Sequence, residues 1–277
     1  MINTEYVFAL VAAAGSGTRL GFDTPKAFVE LRGRTLLERS LDALAESQSV
    51  GHAIVLVSPD MRQRAEDIIK HPENKLAWAP MGVGIELGGS ERVDSVYAGL
   101  LKVQPLAAGR PDSLVLIHDA ARCLVPPRLV SEVVTAAGDA PSGAIPVVPV
   151  ADTIKVIEPL GVPTGHTTAR LDGAERVLST PPRSTLRAAQ TPQVFRLDQL
   201  LDANERYLNA MEIGSAHPTE KHGLDSVREA TDDASLMEMA GYEVIAVPGH
   251  HLAMKITTEM DYRVAEMLLD GRETNNR

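Results

Sequence analysis

The residues best suited to chemistry follow a short apolar run near the start of the chain, of the kind typical of a buried strand. The segment A-A-A-G-S-G-T-R-L-G-F-D-T-P-K occupies residues 12–26. It contains two closely spaced glycines, Gly15 and Gly17, followed by Arg19 and Lys26. Glycines let a ligand approach the backbone N–H groups, and a helix that follows directs its positive end the same way. The spacing predicts a phosphate-binding loop with two cations beside it.

This loop matches neither of two common nucleotide-binding signatures. A P-loop requires G-x-x-x-x-G-K-[ST], and a dinucleotide fingerprint requires a third glycine at the position of Leu20. A lone G-x-G is equally consistent with a tight strand-to-helix connection in an α/β protein. Its interpretation therefore depends on what the rest of the chain places beside it.

Composition limits the class of protein. The chain has 277 residues, of which 44% are hydrophobic and 23% charged, as expected for one large globular domain. No apolar stretch approaches the roughly 20 residues of a membrane span, and the N-terminus lacks a basic signal region, so we expect a cytoplasmic protein without a membrane partner. The single cysteine, Cys123, excludes an internal disulfide. A net charge of −10 argues against nucleic-acid binding, although a few cations in one cleft can still bind a nucleotide.

Short β-branched runs alternate with amphipathic stretches, which predicts an α/β fold with a mostly parallel sheet flanked by helices. The predicted strands are Val7–Val11, Ala53–Val57, Val83–Leu87, Leu114–Ile117, Ala144–Val150 and Val244–Val247. The predicted helices are Leu36–Ala45, Arg62–Ile69, Val93–Leu101, Arg128–Ala137, Leu197–Leu208 and Asp233–Ala240.

Two segments interrupt this alternation. Residues 151–186 are rich in Pro, Gly and Thr but contain β-favourable pieces, which favours a projecting hairpin or arm. Residues 209–228 are polar and indicate a surface loop. We therefore expect residues 1–150 and 187–277 to form the α/β domain and residues 151–186 to form a β-arm.

In an open α/β sheet, ligands bind beyond the carboxyl ends of the strands, so polar residues that follow strands are the candidates. These segments are G-G-S-E-R-V-D-S-V (88–96), H-D-A-A-R (118–122), A-D-T-I-K (151–155), Q-T-P-Q-V-F (190–195) and M-K-I-T-T (254–258).

Individual residues in these segments leave alternatives open. Asp119 can hold Mg²⁺ together with substrate phosphates, or it can be an ordinary helix cap. Cations such as Arg122 and Lys255 are equally compatible with solvated surface charges. His118 lacks a second ligand at metal-binding spacing, so we expect a structural role in which it bonds to the backbone.

Taken together, the ordered motifs resemble one family, the 2-C-methyl-D-erythritol 4-phosphate cytidylyltransferases of the non-mevalonate isoprenoid pathway. The resemblance runs from Ala13 to Thr258 and is closest to actinobacterial members, with L-A-x-K-I-T-T before and after the late lysine. The chain departs from the family at Ala12 and Cys123, where proline is usual. The motifs that carry the resemblance are A-A-G-S-G-T-R with P-K, G-G-S-E-R-V-D-S-V, H-D-A-A-R, D-T-I-K, Q-T-P-Q-V-F, T-D-D-A-S and K-I-T-T.

The resemblance implies a three-layer, Rossmann-like nucleotidyltransferase fold with a projecting β-arm. It also implies transfer of CMP from CTP to 2-C-methyl-D-erythritol 4-phosphate with Mg²⁺ as cofactor, in a homodimer whose arm brings Arg183 to the partner's active site. The implied catalytic residues are Arg19, Lys26 and Lys255. The implied CTP-binding residues are Ala13, Ala14, Gly15, Gly17, Gly89, Ser90, Ser95 and Asp119, with Asp119 also the metal ligand. The implied residues for the sugar phosphate are Arg122, Thr153 and Arg183.

Other functions remain compatible with the residues alone. The nearest is a ribitol-5-phosphate cytidylyltransferase, although such enzymes tend toward H-D-A-V-R where this chain has Ala121, and lack the lysine found here as Lys155. Another sugar-phosphate nucleotidyltransferase is a broader alternative. A catalytically silent nucleotide-binding regulator is disfavoured because the candidate cations and Asp119 are all present.

Overall fold

The computed structural model describes residues 3–15, 21–22, 24–89, 91–159, 174–216 and 230–275. The strands are β1 (Val7–Ala12), β2 (Glu30–Leu31), β3 (Arg34–Thr35), β4 (His52–Val57), β5 (Gly82–Leu87), β6 (Leu114–Asp119), β7 (Gly143–Pro149), β8 (Val156–Pro159), β9 (Glu175–Ser179), β10 (Arg187–Ala189), β11 (Gln193–Arg196) and β12 (Val244–Pro248). The α-helices are α1 (Leu36–Glu46), α2 (Arg62–Lys70), α3 (Pro72–Ala77), α4 (Arg92–Val103), α5 (Pro127–Asp139), α6 (Leu197–Ala216), α7 (Asp233–Met239) and α8 (Glu259–Asn275).

The main sheet has the order β10-β7-β11-β6-β1-β4-β5, and β12 pairs with β7. Strands β6, β1, β4 and β5 run parallel, as do β7 and β12. Strands β10 and β11 are antiparallel to their neighbours. The expectation of a mostly parallel, helix-flanked sheet is therefore confirmed.

Alternate residues of β1 enter two different cores, because successive side chains of a strand point to opposite faces. Val7, Ala9 and Val11 pack with α1 and α5 on one face of the sheet. Phe8 and Leu10 pack with α4, α6 and α7 on the other. The result is a three-layer arrangement with β1 buried at its centre, which fixes where the carboxyl ends of β1 and β6 lie.

Several elements differ from the sequence prediction, which also lacked β2, β3, β10, β11 and α3. The polar segment 209–228 was predicted to be a loop, but α6 continues through Ala216, so that prediction was wrong for residues 209–216; the remainder lies outside the described residues. Helix α8 was not predicted. Several of its hydrophobic side chains are exposed, among them Met260 and Met267, while its inner face packs on a small separate cluster with Leu31, Cys123 and Ile256.

The segment expected to form the arm contains β8 and β9, which pair with each other in an antiparallel sheet of their own. Ile157 lies opposite Val177 across this pair. Both side chains are exposed, as is that of Leu178. The hairpin therefore presents apolar surface that the described residues leave exposed.

Candidate active site

A cavity of about 220 Å³ opens at the carboxyl ends of β1 and β6, beside the start of α4. This is the edge at which ligands of open α/β sheets bind. Its described lining residues are Ala12, Ala13, Ala14, Gly15, Lys26, Ala27, Leu56, Gly89, Glu91, Arg92, Ser95, Asp119, Ala120, Ala121 and Lys255.

Asp119 stands at the centre of the charged side chains here. Its carboxylate lies 2.8 Å from Lys255 Nζ and 3.8 Å from the Nε atoms of both Arg92 and Arg122. The Asp119 side chain is only 11% exposed, so water screens these charges weakly. Three cations from distant parts of the chain thus converge on one carboxylate.

These cations keep Asp119 ionised. Burial alone would raise the pKa of Asp119, but the charges of Lys255, Arg92 and Arg122 outweigh burial and lower it to about 2. Within the described residues no group of three His, Cys, Asp or Glu side chains could hold a metal ion.

The segment that carries Lys255 is fixed by hydrogen bonds from three directions. Gln190 donates from Nε2 to the carbonyl of His250 and accepts the His250 N–H at Oε1. Arg122 donates to the carbonyl of Ala253 at 2.7 Å. The N–H of Ile256 donates to the carbonyl of Ala121. The segments Q-T-P-Q and H-D-A-A-R therefore position the late lysine.

His118 is buried directly behind Asp119. Its Nδ1 lies 3.0 Å from the hydroxyl oxygen of Thr191, which also accepts the Asp119 N–H. Its partner is a side chain, so the expected bond to the backbone was wrong, while the structural role fits. Burial lowers the pKa of His118 to about 4, with Asp119 opposing this effect, so the ring is neutral near pH 7.

The cavity wall formed by Gly88, Gly89 and Ser95 is tightly packed. A Cβ on Gly89 would collide with Asp94, and one on Gly88 would lie 2.7 Å from Ser95 Oγ. Among the described residues, nothing lies within 4 Å of the position that a Cβ on Gly15 would take, and Gly15 lines the cavity. Glycine at position 15 therefore leaves room for a ligand near the end of β1.

Most of the residues predicted to bind the nucleotide line this cavity: Ala13, Ala14, Gly15, Lys26, Gly89, Ser95, Asp119 and Lys255. Arg19, Gly17 and Ser90 lie outside the described residues. Arg122 does not line the cavity but contacts Asp119 from behind and is mostly buried.

Arg183 and Thr153 are not brought to the cavity of this chain. Both are exposed at the base of the arm, where Arg183 donates to the carbonyl of Ala151 at 2.7 Å. Lys155, also exposed, lies 2.7 Å from the hydroxyl of Thr180. The predicted sugar-phosphate residues are thus divided between the cavity region and the arm.

Three charged residues at or beside the site were not predicted: Glu91, Arg92 and Asp233. Arg92 lines the cavity, and its guanidinium lies 2.6 Å from Asp233, which is fully buried. Both belong to motifs quoted above, G-G-S-E-R and T-D-D-A-S. Arg92 could have been predicted, because it begins a helix that follows a strand. Its pairing with Asp233 could not, because the two residues are 141 positions apart and no sequence pattern links them.

A larger depression of about 780 Å³ lies at the opposite edge of the sheet, at the amino ends of β1, β4 and β5. Its ionisable lining residues in the described chain are Glu5, Asp42, Glu46 and His52, with neither Lys nor Arg. A polyanion would be repelled there, so the smaller, cation-rich cavity is the better candidate for binding phosphates.

The described helices include none long and apolar enough to cross a membrane.

Comparison with known proteins agrees with the motifs. The family model IspD, 2-C-methyl-D-erythritol 4-phosphate cytidylyltransferase, matches residues 7–271. The chain is 57% identical over 279 residues to the enzyme of that name from Corynebacterium jeikeium strain K411, covering 98% of this chain and 99% of the relative. It is 45% identical over 269 residues to that of Corynebacterium glutamicum ATCC 13032, covering 96% and 94%. The closer likeness to actinobacterial members is confirmed.

Solved structures show the same fold. The 4-diphosphocytidyl-2C-methyl-D-erythritol synthase of Anaerococcus prevotii DSM 20548 superposes with a TM-score of 0.70 at 25% identity, covering 97% of this chain and all of that one. The 2-C-methyl-D-erythritol 4-phosphate cytidylyltransferase of Thermus thermophilus superposes with a TM-score of 0.62 at 31% identity, covering 95% and 98%. The chain therefore belongs to the 2-C-methyl-D-erythritol 4-phosphate cytidylyltransferase family and is a nucleotidyltransferase.

Proposed function

We propose that the cavity around Asp119 is where this enzyme binds CTP and carries out its reaction. The reaction follows from the family: CMP passes from CTP to the phosphate of 2-C-methyl-D-erythritol 4-phosphate, giving 4-diphosphocytidyl-2-C-methyl-D-erythritol and pyrophosphate. The observation that carries the proposal is the Asp119–Lys255 ion pair, 2.8 Å long, in a cavity also lined by Lys26 and Gly15. The comparisons do not favour ribitol 5-phosphate as the acceptor.

The chemistry demands charge neutralisation more than proton transfer. A phosphate monoester carries about −1.5 to −2 charges near pH 7, so the attacking oxygen is already anionic and needs no general base. It must approach a triphosphate that repels it, and the enzyme has to align the two anions. Lys26, Arg19 and Lys255 supply positive charge at the α-phosphate, where negative charge accumulates in the transition state.

Lys255 has two successive partners in this scheme. Without ligand its ammonium group pairs with Asp119. When the triphosphate binds, the Lys255 ammonium group contacts the phosphates as well as the Asp119 carboxylate. The hydrogen bonds that fix the flanking backbone keep this movement within the side chain.

Asp119 would hold Mg²⁺ together with the phosphates. The residues fit a hard cation: the carboxylate faces the cavity and is kept ionised, and Mg²⁺ in nucleotide sites commonly takes one or two carboxylates plus phosphate oxygens. Bound there, the ion neutralises charge on the phosphate oxygens. Asp119 itself orients the triphosphate and balances the three surrounding cations.

The cytosine of CTP and the sugar phosphate are assigned to different residues. Ala13, Ala14, Gly89, Ser90 and Ser95 surround the cytosine, where backbone carbonyls accept from its amino group and reject uracil. Each buried acceptor left unpaired by uracil costs roughly 1–3 kcal/mol.

The sugar phosphate binds to Arg122, Thr153 and Arg183. Because Arg183 is exposed on the arm, it reaches a cavity by lying over that of a second subunit in a homodimer. The exposed apolar face of β8–β9 supports this pairing.

The globular composition and the single cysteine support a cytoplasmic location.

Pyrophosphate release by the Lys26→Ala variant tests the proposal. We expect loss of turnover with an unchanged unfolding temperature, because Lys26 is only partly buried in a cavity wall. Lys70→Ala on α2 is the matched control, since that lysine pairs with Glu66 far from the cavity. Near-normal turnover by Lys26→Ala would refute the assignment, and equal rates with CTP and UTP would refute the base pocket.

A further inference from the structure

Asp233 is a buried carboxylate for which the reaction scheme above has no role. It is the first residue of α7, and its side chain is inaccessible to solvent. One oxygen accepts a hydrogen bond from Arg92 at 2.6 Å, while the other, Oδ1, has no hydrogen-bond partner among the described residues. A buried carboxylate with one unsatisfied oxygen destabilises the folded state, which favours a functional role for Asp233.

The neighbouring Asp232 performs the structural task at this helix end. It is the N-cap of α7, accepting the Ser235 N–H, and it also accepts from Gln193. Gln193 in turn accepts the Ala234 N–H. The helix start is therefore capped and anchored to β11 without Asp233, whose bond to Arg92 serves another purpose.

Arg92 stands between two carboxylates. Its terminal nitrogen is held by Asp233, and its Nε lies 3.8 Å from Asp119, beyond hydrogen-bond distance. Without Asp233, the attraction of Asp119 would pull the guanidinium into direct contact with the cavity carboxylate. The guanidinium would then compete there with Lys255.

We propose that Asp233 is a positioning residue that holds Arg92 in the cavity wall and so keeps the Asp119 carboxylate available to the nucleotide and its metal ion. The inference rests on the proposal that the cavity binds CTP. Asp233 does not itself line the cavity and acts only through Arg92. A guanidinium suits this role because one terminal nitrogen bonds to Asp233 while its Nε stays 3.8 Å from Asp119.

Equilibrium binding of Mg²⁺–CTP to the whole protein, without the sugar phosphate so that no turnover occurs, tests this role. We expect Asp233→Asn to weaken CTP binding about tenfold, the usual effect of losing one well-placed charged contact. Asp232→Asn is the matched control: it removes the same charge one residue away and keeps a good N-cap, so CTP affinity should change less than about twofold. Unfolding temperatures of both variants report the purely structural effect.

A double-mutant cycle separates action through Arg92 from a general loss of stability. In an Arg92→Ala background, Asp233→Asn should weaken CTP binding no further, within about twofold. An additive loss in the double variant would overturn the inference, as would unchanged CTP affinity in a folded Asp233→Asn protein. If Lys26→Ala leaves CTP binding intact, the cavity assignment itself fails, so the two failures are distinguishable.

Arg92→Lys keeps the inference testable if Asp233→Asn does not fold. It leaves a cation beside the buried Asp233, but a lone ammonium group can leave Asp233 for the Asp119 carboxylate and compete there with Lys255. We expect CTP binding to weaken about tenfold in this variant while the protein remains folded. Wild-type CTP affinity in this variant would overturn the inference that a guanidinium is needed at position 92.

Discussion

Charged side chains at the cavity and on the arm are held in different ways. Asp119 is nearly buried and surrounded by cations from α4, from the loop after β6 and from the segment before α8. Arg183 on the arm is exposed, and it donates a hydrogen bond to the carbonyl of Ala151. The cavity is thus assembled within one chain by the sheet and its loops. The arm presents exposed polar and apolar side chains, and under the proposal above a second subunit completes the site.

The largest expected effect comes from the cavity. Asp119→Asn removes the charge that balances Lys255, Arg92 and Arg122, and we expect kcat to fall roughly 10²–10³-fold, as when a key electrostatic group is lost. Removing one partner of a buried ion pair also lowers the free energy of unfolding, by about 3–5 kcal/mol. Pyrophosphate release and denaturant unfolding measure the two effects.

Asp152→Asn is the corresponding change near the base of the arm, where the carboxylate is exposed. We expect its stability to change by less than about 0.5 kcal/mol. Comparable destabilisation by the two variants would contradict the contrast between a buried charge cluster and an exposed arm.

The arm should respond through substrate affinity. Under the proposal, Arg183→Ala removes a charged contact to the sugar phosphate, and such a contact is worth about 1.5–3 kcal/mol. KM for 2-C-methyl-D-erythritol 4-phosphate should therefore rise roughly 10–100-fold with little change for CTP. Steady-state kinetics with each substrate varied separately measures this. Arg176→Ala is the control. Arg176 lies on β9 of the same arm and pairs with Glu158 at 3.1 Å, so this change should leave KM unchanged.

Mixing subunits shows which cavity the arm serves. Heterodimers of Arg183→Ala and Lys26→Ala chains contain one cavity with an intact Lys26 and an intact arm from the partner, if the arm crosses. Activity above that of either parent is expected. No recovery in verified heterodimers would confine Arg183 to its own chain.

The apolar face of the arm gives a smaller effect. Val177→Ser should raise the dimer dissociation constant about tenfold or more, because a buried Val side chain contributes about 1.5–3 kcal/mol. Val264→Ser on α8 is a matched change at another exposed valine. Sedimentation over a range of protein concentrations compares them, and an equal shift for both would mean that the hairpin has no special part in association.

The cavity residues could be predicted from sequence because each follows a strand end, and parallel strands bring their carboxyl ends to one edge. Asp119 ends β6, and Gly15 lies just beyond β1. The Arg92–Asp233 pair could not be predicted, since it depends on how α4 and α7 pack across one face of the sheet. Helix α8 was missed for a similar reason: much of its surface is polar or exposed, and its contacts are to a satellite cluster.

The smallest effect concerns the pKa of Asp119, and it tests whether the cavity cations act as a group. The folded-state pKa of about 2 lies below the usual 3.8, so ionised Asp119 contributes roughly 2 kcal/mol to folding above pH 4, which is lost as pH falls through 2. Lys255→Ala removes the strongest lowering influence and should raise this pKa toward its usual value. The acid-induced loss of stability should then become smaller.

A carbon-13 NMR titration of the Asp119 carboxylate, together with unfolding free energies between pH 2 and 5, measures both changes. Lys102→Ala is the control, because that lysine, near the end of α4, pairs with Glu86 of β5 and should leave the Asp119 titration unaltered. If Lys255→Ala also leaves the pKa unchanged, Arg92 and Arg122 suffice to keep Asp119 ionised. Lys255 would then be able to leave the carboxylate for a phosphate at little electrostatic cost, whereas a large rise would mean that its departure must be compensated by the arriving metal ion.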